Sequence, residues 1–189
     1  MRYMIAYMIR GEPAWRISRL SDELADVFTL EPLNERIGPH LTLKAPFETG
    51  SERNVEELKS KLADFCAART AAHSVPPAIT YSGFGHFDKR VIFVNVTASP
   101  EATKLSADLL VLLRTLPWVK FSRTDGEKHL HATICYAEKR SIFEEVKKYL
   151  ANETIKSESA ITNISLLFQD SSDRRSWESP WKLLAEYSL

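Results

Sequence analysis

A chain of 189 residues that carries 25 lysines and arginines against 25 aspartates and glutamates has a formal net charge of zero. That length suits one domain with a core large enough to need no staples, and the neutrality excludes a protein that coats bulk duplex DNA through a net basic surface. Cys66 and Cys135 are too few for a disulfide framework and fit the reduced thiols of a cytoplasmic protein. No apolar run approaches a membrane span, and the apolar stretch 1–10 is too short for a signal peptide.

Along the chain, the apolar run 3–9 reads as a buried strand. Within 15–30, Ser21 or Asp22 is available as an N-cap, so a helix is expected to start there or slightly earlier. Pro39 leads into a strand over 41–45, which Pro46 is expected to end. Val55, Leu58, Leu62 and Phe65 recur at spacings of three and four and predict an amphipathic helix over 51–72. Pro76 and Pro77 stop it, and a strand resumes over 78–84. Gly83 to Asp88 reads as a loop, followed by a β-branched strand over 90–97. Pro100 opens a leucine-rich helix to 116, and residues 117–128 are a polar, basic connection broken at Asp125-Gly126. A strand over 129–136, a helix over 141–150 and strands over 161–169 and 181–189 complete the chain.

The order is β-α-β-α-β, then β-α-β-α-β with one strand added, and a short motif recurs inside it. His40-Leu41-Thr42 and His131-Ala132-Thr133 stand 91 positions apart (131 − 40), each within a predicted strand. Side chains i and i+2 leave a strand on the same face, so each motif aims a histidine and a threonine together. Leu41, Leu43, Ala132 and Ile134 then point into a core. The same shift puts Val55 on Val146 and brings Tyr3 near Val94. These features predict an α+β fold: a single bilobal domain over 1–189 with approximate repeats 1–88 and 89–189. Its two mainly antiparallel sheets flank a central cleft, and its helices lie outside.

Paired His-x-Thr motifs in a bilobal chain of this size resemble the two-histidine (2H) phosphoesterase superfamily, which includes 2′-5′ RNA ligases and cyclic nucleotide phosphodiesterases. The stretch Pro39-His40-Leu41-Thr42-Leu43-Lys44-Ala45-Pro46-Phe47 is similar to the first motif of its small bacterial members. The helix after it, the Gly-Phe loop before an apolar strand and the closing Trp181-Lys182-Leu183-Leu184-Ala185-Glu186-Tyr187 also fit. In two places the chain departs from the pattern. Leu130 stands where the second motif commonly has proline, and Cys135-Tyr136 where an arginine often follows. The phosphate pocket either lacks that positive contact or draws it from elsewhere.

The resemblance implies hydrolysis of 2′,3′-cyclic phosphates or related nucleotide and RNA-end phosphodiesters, together with reversible 2′-5′ RNA ligation. Two imidazoles, with an ordinary pKa of about 6.5, can deprotonate a water and protonate a leaving oxygen without a metal or other cofactor. His40 and His131 are therefore the expected acid and base, and Thr42 and Thr133 the donors to phosphate oxygens. Lys44 shares the face of His40 and Thr42 if its strand runs straight, and His129 and Cys135 share that of His131 on the same condition. His86 and Phe87, beside Phe84 on the glycine-flexed loop, are candidates for stacking on a base. Arg90, Arg123 and Lys128 are candidates for outer phosphates, and Tyr136 for substrate contact. His73, after an alanine-rich helix end, reads as a surface residue or a charge partner of that helix C-terminus.

Two other readings use the same residues. His129 and His131 at i, i+2 on a strand could grip zinc with His40 or His86 as a third ligand, which leaves both threonines unexplained. A nucleotide- or RNA-end-binding module that kept the cleft without turnover is the non-enzymatic alternative. The expected partner in either enzymatic or binding form is a small nucleotide or an RNA end rather than a membrane, and a monomer suffices.

Overall fold

In the first strand, β1 (Arg2–Met8), alternation separates two faces of a sheet. Tyr3, Ile5 and Tyr7 join the main core, whereas Met4 and Ala6 belong to a separate small cluster with Leu167, Met8, Ile37 and Trp181. The structure, a computed structural model, describes residues 1–72, 75–125, 129–170 and 179–189, with the backbone alone at Arg123. After β1 come α1 (Gly11–Phe28), a 3-10 turn (Leu33–Glu35), β2 (His40–Glu48), α2 (Glu52–Ala71), β3 (Ala78–Phe87), β4 (Val91–Ala98) and α3 (Pro100–Arg114). A second 3-10 turn (Arg123–Asp125), β5 (His131–Tyr136), α4 (Arg140–Leu150), β6 (Lys156–Ala160), β7 (Asn163–Gln169) and β8 (Lys182–Ser188) follow.

Among the described residues the strands form two four-stranded sheets in the orders β2-β1-β7-β8 and β5-β4-β3-β6, with antiparallel pairing throughout. The fold is thus α+β. Each motif strand, β2 or β5, is the edge strand of its sheet and pairs with the strand that precedes it in sequence. Strands cross between the halves. β3 pairs with β4, and β7 pairs with β1, so each sheet draws strands from both halves of the chain. Apolar faces of α1 (Ile17, Leu20, Leu24), α2 (Leu58, Leu62), α3 (Leu105, Leu109, Leu113) and α4 (Phe143, Val146) pack on one core.

Several local expectations change. Helix α1 begins at Gly11, with Arg10 as an N-cap that makes no side-chain hydrogen bond and Pro13 tolerated in the first turn. Ser21 therefore lies in mid-helix, buried, and its Oγ donates to the Ile134 carbonyl at 2.7 Å, tying α1 to β5. The caps of α2 and α3 do come from serines: Ser51 Oγ accepts from Asn54 N–H and Ser99 Oγ from Ala102 N–H, with Pro100 in the first turn of α3. Pro46 does not end β2, which runs to Glu48; an edge strand can carry a residue without an N–H donor. The expected loop at Gly83–Asp88 is strand as far as Phe87, with a bulge between Tyr81 and Phe84 and left-handed residues at Asp88 and Lys89 making the turn. β5 starts at His131 rather than at 129, and β6 is an additional strand of polar sequence.

Candidate active site

On β2 the core takes Leu41 and Leu43 while His40 and Thr42 stay half-buried on the opposite face. On β5 the core takes Ala132 and Ile134 while His131 and Thr133 stay half-buried. All four polar side chains of the motifs line one cavity of about 460 Å³, open between the two edge strands. Its walls also include Arg2, Met4 and Gln169 from the first sheet, Arg36 and Ile37 from the connection after α1, and Trp181. Arg90, Tyr136 and Glu138 come from the second sheet and its turns.

The two histidines are held in the same way. His40 Nδ1 lies 2.9 Å from the Gly38 carbonyl oxygen, and His131 Nδ1 lies 2.7 Å from the His129 carbonyl oxygen. A carbonyl oxygen only accepts, so in each ring Nδ1 is the protonated nitrogen and Nε2 of the neutral ring is left as a base. Burial pushes the His40 pKa down to about 4, against the opposing pull of the Gly38 carbonyl, and the charge of His131 lowers it further. His131 is also lowered, first by burial and then by the charge of His129, with the His129 carbonyl opposing. Aromatic rings enclose His131: Phe87 and Phe93 stand 4.9 and 5.0 Å from it, centroid to centroid.

Lys44 departs from the sequence expectation, and the cause is a bulge. Across the β1–β2 ladder Ile5 pairs with Lys44 and Ala6 with Thr42, so one step on β1 spans two on β2. The extra residue turns Lys44 away from the face of His40 and into the protein, where it is fully buried. β5 repeats the irregularity at the equivalent place: Phe93 pairs with Thr133 and Ile92 with Cys135. Cys135 consequently faces the core instead of the cavity, and burial pushes its thiol up to about 12. Neither residue lines the cavity.

The remaining candidates divide. Tyr136 lines the cavity; burial raises its pKa while the Arg36 and Arg90 guanidiniums pull it back down. Arg90 is fixed beside it by its carbonyl, which accepts from Ala137 N–H at 2.8 Å. His86 is placed elsewhere, edge-on to Phe143 and beside a separate small cavity with Lys147. Phe87 reaches the site through its ring contact with His131, not as a cavity wall. The side chain of Arg123, like Lys128 and His73, lies outside the described residues. Among the described residues, no three His, Cys, Asp or Glu side chains gather as a metal ion would need. Nor is any helix among them long and apolar enough to cross a membrane.

Sequence reasoning missed Arg36, Arg2 and Gln169. The Arg36 carbonyl accepts from Trp181 N–H at 2.8 Å, and its guanidinium pairs with Glu31 at 3.1 Å. Arg2 donates to the buried Gln169 side chain at 3.4 Å and its guanidinium stands 6.0 Å from the Trp181 ring. Only the alternation of β1, which puts Arg2 on the face of Met4, carried any signal for these. No arginine follows the second motif, but Arg2, Arg36 and Arg90 bring three from other segments to the cavity wall.

A family model for the 2′-5′ RNA ligase superfamily matches residues 13–173. Among curated proteins, no sequence matches the chain. Among solved structures, TT0787 of Thermus thermophilus is similar at a TM-score of 0.63 and 15% identity, covering 100% of this chain and 98% of its own; this likeness bears on the fold. Kluyveromyces marxianus Usb1, solved with uridine monophosphate, is similar at a TM-score of 0.41 and 14% identity, covering 87% of this chain and 92% of its own. With the family match extending over most of its length, the chain belongs to the 2′-5′ RNA ligase superfamily, the two-histidine phosphoesterases that its paired motifs resemble.

Proposed function

We propose that the cavity is the active site of a phosphoesterase that opens 2′,3′-cyclic phosphates or cleaves related nucleotide and RNA-end phosphodiesters. The observation that carries this reading is the matched pair of imidazoles on one cavity, each with Nδ1 committed to a backbone carbonyl and Nε2 available. Hydrolysis needs a proton removed from water on one side of phosphorus and a proton delivered to the leaving oxygen on the other. His40, the more strongly depressed of the two, is neutral at ordinary pH and accepts the water proton on Nε2. The water oxygen bonds to phosphorus, the bond to the ribose oxygen breaks, and His131 passes its Nε2 proton to that oxygen. The negative charge of a bound phosphodiester restores the proton to His131 by favouring the imidazolium.

Thr42 and Thr133 donate to the non-bridging oxygens, where charge accumulates in the transition state. Arg90 and Arg36, which share the cavity wall with Tyr136, offset the remaining phosphate charge. With a ribose 5′-hydroxyl in place of water, the same two roles open the cyclic phosphate into a 2′-5′ linkage, and exchanging the roles reverses that ligation. The scheme requires no cofactor, and a monomer acting on a small nucleotide or RNA end in the cytoplasm satisfies it.

The test is a panel of 2′,3′-cyclic and linear phosphodiesters, assayed with and without a chelator and with product regiochemistry recorded. Wild type should turn over at least one, and His40→Ala and His131→Ala should each lose a factor of about 10² to 10⁴. Phosphodiester binding by wild type with no turnover on any member would mark a binding module instead.

A further inference from the structure

Lys44, displaced from the cavity by the β2 bulge, forms an ion pair with Asp125 at 3.0 Å, with the two side chains 0% and 2% exposed. The pair is fully furnished. Asp125 Oδ1 accepts from Ala45 N–H at 2.9 Å, and Oδ2 accepts from Ser122 N–H at 2.7 Å and from Ser122 Oγ at 3.0 Å. Lys44 Nζ also donates to the Ala45 carbonyl at 3.0 Å and stands 5.0 and 5.1 Å from the Phe47 and Phe121 ring centroids. Burial alone would raise the Asp125 carboxyl; the donors from Ser122 and Ala45, together with Lys44, outweigh it and keep the group ionised.

The placement of this pair matters more than its strength. Lys44 lies two residues beyond Thr42 on one edge strand, and Asp125 lies six before His131, in the turn that leads to the other. β2 and β5 belong to different sheets, and the cavity opens where these edges meet. No backbone ladder joins them, since each pairs with its own neighbour. A buried ion pair of fixed length therefore clasps the segment carrying one half-site to the segment leading to the other. Buried pairs add little net stability compared with apolar replacements, so a geometric role accounts for one being kept here.

We propose that Lys44 and Asp125 are positioning residues that set the separation and mutual orientation of the His40 and His131 half-sites. The inference rests on the two-histidine reading of the cavity. Neither residue touches the substrate. Displacing reacting groups by about 1 Å costs on the order of 10²-fold in rate, so a loosened clasp is read in kcat more than in KM.

The experiment compares wild type, Lys44→Met, Asp125→Asn and the double variant, all as the full chain. Three readouts are taken: thermal midpoint, NMR titration of the His40 and His131 imidazoles in the free protein, and binding of inorganic phosphate. Turnover of the best phosphodiester is added as a fourth. The expected result is a folded double variant whose two imidazole titrations both move, with kcat reduced by about tenfold or more and a shifted pH profile. Unchanged titrations, phosphate affinity and kcat in a folded double variant would overturn the proposal and leave the pair a loop anchor. If the double variant does not fold, Asp125→Glu, which keeps the charge and lengthens the clasp by one methylene, carries the same test with the same outcomes. Absence of turnover in wild type itself would sink the hydrolase reading alone, because the titrations and phosphate binding still decide the role of the clasp.

Discussion

Gly85 and Phe93 approach so closely across the β3–β4 ladder that a Cβ on the glycine would stand 2.5 Å from Phe93 Cε2. The same Phe93 ring packs on His131, so the space left by a missing methyl group helps seat a catalytic candidate. Gly85→Ala must push that ring, and Asn95 beside it, out of place. The expected cost is about 1–3 kcal/mol of stability, measured by urea unfolding. The His131 imidazole titration should shift with it. A variant that keeps both would show the contact to be relaxed in solution.

Stability should fall with acid through His40. Its folded pKa of about 4 lies below the unfolded value of about 6.5, so the unfolded chain binds more protons between those limits. The favourable contribution of the neutral ring is complete above about pH 6.5 and is lost as pH falls toward 4. Urea midpoints recorded from pH 7 to 4.5 should decline for wild type and decline less for His40→Gln. Parallel slopes for the two proteins would mean that His40 is not buried against protonation.

Both imidazoles being depressed places the activity optimum on the acid side. A neutral base that persists to about pH 4 and an acid that loses its proton below the ordinary histidine value leave a kcat/KM maximum under about pH 6.5. Phosphate binding at pH 6 should take up protons, approaching about one per site as the anion favours the imidazolium. Calorimetry in buffers of different ionisation enthalpy measures that uptake directly. Proton release on binding would contradict the proposed environment.

Ser21→Ala tests the tie between α1 and β5. Removing the hydroxyl leaves the buried Ile134 carbonyl without this donor, at a cost of about 1–3 kcal/mol. Because Ile134 follows Thr133, the change should also slow the proposed hydrolysis severalfold. Chemical denaturation together with kcat reports both. A Ser21 variant as stable as wild type would indicate that another donor reaches the carbonyl.

The site was legible in the sequence wherever alternation held. His40, Thr42, His131 and Thr133 follow strand parity, and parity brought all four to one cavity. It failed two residues later, at Lys44 and Cys135, because a bulge is set by pairing with the neighbouring strand and leaves no mark in the strand's own sequence. Ser21 looked like a helix start because a cap and a mid-helix hydroxyl with a tertiary acceptor are the same residue until the acceptor is known. β6, Lys-Ser-Glu-Ser-Ala, has no apolar alternation to declare it, since it is added to the outer edge of its sheet. Arg36 and Arg2 reach the cavity by tertiary placement, which no periodicity reports.

The exchange of β3 and β7 between the halves bears on how a ligand gets in. The chain leaves the first sheet through α2, completes β3 to β6 in the second, and returns at β7, so two separate crossings join the lobes. Opening the cleft like a clamshell would have to bend both crossings together and drag α1 off β5. Ligand entry and exit are therefore assigned to the cavity mouth and its bordering side chains rather than to the parting of two jaws.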